Sequence, residues 1–89
     1  MTERSDEYIL ARLIERSRLL IALSEEIPVD TKLQTQPLLK QLEQLLAGPP
    51  EDQDRERIHA THALLMRELA EYADLEALLS AMVHFLPAA

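Results

Sequence analysis

The residues with the most capacity for chemistry are Glu56, His59 and His62. Glu56-Arg57-Ile58-His59 places a carboxylate and an imidazole three positions apart, on one face of a helix, and His62 follows one turn later. Helical carboxylate-bridged metal centres use such a pair twice, both facing inward. Here the pair occurs once, no second inward carboxylate–histidine pair accompanies it, and a zinc ion is seldom held by fewer than three converging side chains. The spacing reads as a solvated polar face for Glu56 and His59, with His62 half-buried, so no metal and no cofactor are expected. His84 stands alone near the end, a packing or surface residue. Ser5, Ser17, Ser24 and Ser80 are not spaced with a base and an orienting group, as a nucleophilic site requires. Gly48 is the single glycine, too few for a loop that cradles phosphates, and cysteine is absent. No catalytic residue is expected, and the chain reads as non-enzymatic.

Composition narrows the scaffold that carries these residues. The 89-residue chain has a formal charge of −7, the wrong sign for a nucleic-acid or anionic-membrane surface. Leucine supplies 18 residues and alanine 11, against two valines, five isoleucines and three aromatics, Tyr8, Tyr72 and Phe85. Sheets draw on β-branched and aromatic residues and on glycine turns, so an all-α fold is predicted. The longest apolar run, Leu19 to Leu23, has five residues, whereas a membrane span needs about 20. The segment Met1–Glu7 has no apolar stretch of the kind that directs secretion. The expectation is a cytoplasmic protein without membrane insertion.

Spacing then predicts an antiparallel bundle of three to four helices in a single domain. A first helix over about 5–26 carries two apolar stripes. One is Ile9, Leu13, Leu20, Leu23 and Ile27; the other is Leu10, Ile14, Ser17, Ile21 and Ser24. A face that wide is expected to meet two neighbours. Pro28 ends this helix. A second helix, about 36–47, opens with Pro37 in its first turn, capped by Asp30, Thr31 or Thr35, and buries Leu38, Leu39, Leu42, Leu45 and Leu46. Gly48 suits a left-handed cap, and Pro49-Pro50 cannot continue the helix. From Glu51 to Leu86 there is neither glycine nor proline. Ile58, His62, Leu65, Leu69, Tyr72, Leu79, Val83 and Leu86 keep a near-heptad beat, interrupted at Glu76. The stretch is either one helix of about 36 residues or two, over 51–73 and 75–86, with Asp74 capping the second. The apolar face shifts to Leu75, Leu78, Met82 and Phe85 after Tyr72, which favours the break.

Charge and apolar excess point to a protein partner. Residues 1–48 hold 6 basic and 8 acidic side chains (−2), and residues 49–89 hold 3 and 8 (−5). Glu68, Glu71 and Asp74 recur every third residue, an acidic ridge beside an apolar stripe. A rim of this kind, with Leu65, Leu69, Tyr72, Leu75, Leu79 and Met82 as floor, would receive another protein's helix in a groove. The alternatives from the same residues are plain core packing, self-pairing into a homodimeric structural bundle, and a regulator that sequesters a partner. A metal-binding bundle is the alternative from another class.

Leu13-Ile14-Glu15-Arg16-Ser17-Arg18-Leu19-Leu20-Ile21-Ala22-Leu23-Ser24-Glu25 resembles the first helix of the FliT-type flagellar filament-cap export chaperones. Leu45-Leu46-Ala47-Gly48-Pro49-Pro50-Glu51-Asp52-Gln53-Asp54-Arg55-Glu56-Arg57-Ile58 is similar to their turn into the third helix, and small type III secretion chaperones look alike. The resemblance implies a cytoplasmic all-helical chaperone that holds the terminal helix of an export substrate. It also implies contact with the export ATPase and a C-terminal helix that masks the binding groove.

Overall fold

A computed structural model describes residues 2–88, with side chains from residue 6 onward. Four α-helices follow one another: α1 (Thr2–Leu23), α2 (Val29–Leu46), α3 (Arg55–Leu69) and α4 (Ala73–Met82), with one 3-10 turn at Pro50–Asp52. No strand occurs among the described residues, as the shortage of β-branched residues predicts. No helix is long and apolar enough to cross a membrane. Each helix packs on two others: α1 and α3 both lie against α2 and α4. The molecule measures 38 × 23 × 16 Å, and 16 Å leaves depth for two layers of helices at about 10 Å spacing.

The core is built from one stripe of each helix. Ile14 and Ile21 of α1, Leu39 and Leu42 of α2, Ile58, Leu65 and Leu69 of α3, and Leu75, Leu79 and Met82 of α4 are all at most 2% exposed. Small polar residues fill the tight places and spend their hydroxyls locally. Ser17 Oγ donates to the Leu13 carbonyl at 2.9 Å and Thr35 Oγ1 to the Thr31 carbonyl at 2.7 Å. Gln41 Nε2 donates to Thr61 Oγ1 at 3.1 Å, joining α2 to α3. Among the described residues no buried side-chain nitrogen or oxygen lacks a partner, as folding requires of buried polar atoms.

The helix boundaries depart from the spacing in four places. The first helix stops at Leu23, not near 26, because the Ser24 hydroxyl accepts from the Glu26 and Ile27 amides at 3.1 and 3.2 Å and closes a turn. The second begins at Val29, seven residues before the expected start. Pro28 is extended at φ −60, ψ 151, and its carbonyl receives the Lys32 amide at 3.0 Å. The residue read as a stop for one helix is the N-cap of the next. Pro37 therefore lies inside α2, on its exposed side.

Gly48 is not a left-handed cap, since no residue described has a positive φ. Gln53 Nε2 instead donates to the Leu46 and Gly48 carbonyls at 3.0 and 3.1 Å.

The fourth departure concerns residues 51–86, which form two helices. Asp54, not Glu51, starts α3, and its carboxylate accepts the Arg57 amide at 3.2 Å. The break falls at Ala70–Tyr72, just before Asp74, with Tyr72 as N-cap of α4. Its cause is the apolar register. Leu69 and Leu75 are six residues apart, and an unbroken helix turning about 100° per residue would point them roughly 120° apart. Both are buried, which the break makes attainable.

Candidate functional site: the outward face of the first helix

The groove expected along the third and fourth helices is closed. Leu65, Leu69, Leu79 and Met82 are 0% exposed and Leu75 is 2%. They pack into the chain's own core, and of them Leu75 alone borders a surface hollow, beside Tyr72, Asp74 and the α1 residues Leu20 and Leu23. Tyr72 is half-buried at the α3–α4 junction. Of the acidic ridge, Glu71 and Asp74 are exposed, and Glu68 is half-buried with Arg67 at 3.9 Å. Of these nine residues, only Glu68, Glu71, Tyr72 and Asp74 retain substantial surface.

The histidines are positioned by the end of α4. At Val83 the backbone tightens, with its amide bonding the Ser80 carbonyl at 3.2 Å. His62, 7% exposed, takes up the Leu79 carbonyl at 2.7 Å through Nε2. His59, expected in solvent, is half-buried and reaches the Pro87 carbonyl through Nε2, also at 2.7 Å. A carbonyl can only accept, so in each ring Nε2 carries the proton. Arg55 adds a 3.4 Å contact to the Ala88 carbonyl. These groups lace the C-terminal segment to α3. Glu56 is exposed and takes no part, and His84 is exposed. Among the described residues no three His, Cys, Asp or Glu side chains converge on a point where a metal could sit.

The open apolar surface lies elsewhere. On α1, Leu10, Ile14, Ser17 and Ile21 face the core. The opposite side of the same helix carries Tyr8 (64% exposed), Leu19 (50%) and Leu23 (78%), with Ile9 and Leu20 at its margin. Of the two stripes read from the sequence, the second faces the core; in the first, Ile27 is buried and Leu13 half-buried, Ile9 and Leu20 are marginal, and Leu23 alone points fully outward. Arg12 and Arg16 stand exposed within the outward stripe, the Arg12 guanidinium 5.9 Å from the Tyr8 ring centroid. That contact is a weak cation–π interaction at an exposed site.

A furrow continues this surface towards α2. Leu19 and Ala22 form one wall, and Leu33 and Pro37 the other, around a volume of about 560 Å³. Leu33 is 66% exposed. Its edges are polar. Arg18 bridges Glu15 at 3.4 Å and Glu43 at 3.2 Å, tying α1 to α2. Lys32 Nζ donates to the Ala22 carbonyl at 3.2 Å. A smaller hollow on the other flank, between Arg16, Leu20, Asp74, Ala77 and Leu78, carries the surface towards α4, with Asp74 beyond 4.0 Å of the Arg16 guanidinium. Exposed leucines scattered singly need no explanation, whereas Leu19 and Leu33, which face each other across the furrow with Leu23 one turn beyond Leu19, form a patch that marks an interaction site. Sequence reasoning assigned both stripes of α1 to neighbours and placed Tyr8 and Leu19 in neither. The missing signal is which side of α1 its two neighbours, α2 and α4, occupy.

No family model matches this chain, and neither a curated protein nor a solved structure matches it.

Proposed function

We propose that the chain is a non-enzymatic protein-binding module whose docking surface is the outward face of α1 and its furrow with α2. The observation that carries this reading is the second apolar face of α1, left open opposite a complete core. The charged groups nearby are exposed or pair with one another, which suits a surface that binds by shape and hydrophobic contact. Resemblance of residues 13–25 and 45–58 to FliT-type chaperones supports a finer reading, a cytoplasmic export chaperone that holds a partner's helical segment. Short connections between helices that each pack on the next support an antiparallel arrangement of the four helices.

The double substitution Leu19→Ser/Leu23→Ser tests the reading. Both side chains are at least half exposed, so the melting temperature should stay within about 3 °C of wild type. Recovery of the partner that co-purifies with the tagged wild-type chain from its native cells should fall at least about tenfold, since buried apolar anchors dominate such interfaces. A variant that recovers the same partner in the same amount would refute the site.

A further inference from the structure

We propose that the partner presents an acidic amphipathic helix, laid along α1 with its leucines on Leu19, Leu23 and Leu33 and its carboxylates on Arg12 and Arg16. This rests on the docking surface proposed above and specifies what it selects. The chain is acidic overall, at −7, yet the outward apolar face of α1 carries two arginines. Among the described residues neither Arg12 nor Arg16 has a carboxylate within 4.0 Å, whereas Arg18 next to them has two. Arg12 lies over the Tyr8 ring, a contact that leaves the guanidinium edge free to bind a carboxylate in bidentate fashion. Lys40 adds a third cation at the lip of the furrow.

Arg12 and Arg16 lie exposed on the same outward face as Leu19 and Leu23, so an occupant of this stripe gains by bringing carboxylates to them. A basic helix would meet them with like charge. From Tyr8 to Leu23 the ridge is about 22 Å long at 1.5 Å per residue, the length of a four-turn partner helix.

The experiment uses the full-length protein and two labelled helical peptides. They share one leucine stripe and differ only in flanking glutamates or lysines. By fluorescence anisotropy at about 50 mM salt, the glutamate peptide should bind about tenfold tighter than the lysine peptide, and at about 0.5 M salt the preference should shrink to about twofold. Arg12→Glu/Arg16→Glu should reverse the order, with unchanged circular dichroism confirming that the variant is folded. Equal binding of the two peptides, or a preference untouched by the arginine substitutions, would overturn the proposal. So would a dimer in light scattering that the arginine substitutions disperse, which would make a second copy the occupant. If neither peptide binds while Leu19→Ser/Leu23→Ser still loses the native partner, the acidic-helix proposal falls and the docking surface stands. If that variant also keeps its partner, both fall.

Discussion

Leu65→Asp should leave the chain unfolded at 25 °C, with its helical circular dichroism lost, and Leu42→Asp should do the same. Each leucine is 0% exposed, and each lies among residues of three or four helices in one core. The substitution removes about 1.5–3 kcal/mol of apolar burial and places a carboxylate where no cation lies within the core. The total cost is several kcal/mol, against a stability of roughly 5–13 kcal/mol for a chain this size. Survival of either variant with a wild-type melting temperature would mean that the buried stripes of α2 and α3 are assigned to the wrong faces. Leu23→Asp is the matched control. At 78% exposure it should leave the melting temperature nearly unchanged.

Truncation after Asp74 should also abolish folding, giving an aggregated or random-coil product. The deleted residues include Leu75, Leu79 and Met82, all buried between α1 and α3. At about 1.5–3 kcal/mol each, their loss removes about 5–9 kcal/mol, most of the stability available. The deletion also takes away the Leu79 and Pro87 carbonyls and leaves the buried His62 without its acceptor. A truncated protein that stays folded would identify the segment as an accessory element that covers a groove or joins a dimer, as its apolar character on nearly every side allowed. Burial of its leucines in the common core favours the structural role.

What was legible in the sequence was periodicity. The all-helical class, the buried stripe of α1, the leucine face of α2 and the change of face after Tyr72 all follow from spacings of three and four. What escaped depends on partners distant in sequence. Pro28 carries the same local signal whether it ends one helix or begins the next, and only the burial of Thr35 against the core places it in α2. Gln53 caps α2 from seven residues away, so Gly48 had no need of a left-handed conformation. For the site, the buried Leu65, Leu69, Leu75 and Leu79 and the exposed Leu19 and Leu23 are the same residue type. Which of them is covered depends on where the neighbouring helices pack.

The most direct test of the docking surface is photo-crosslinking in the native cell, with benzoylphenylalanine placed at Tyr8 or at Glu71. Both positions are exposed, so either probe fits without disturbing the core. Tyr8 lies on the outward face of α1, and Glu71 on the acidic ridge by the α3–α4 junction. A discrete cross-linked polypeptide from the Tyr8 probe, with none from Glu71, is the predicted result. A cross-link at Glu71 with none at Tyr8 would contradict it and place the partner on the α3–α4 side.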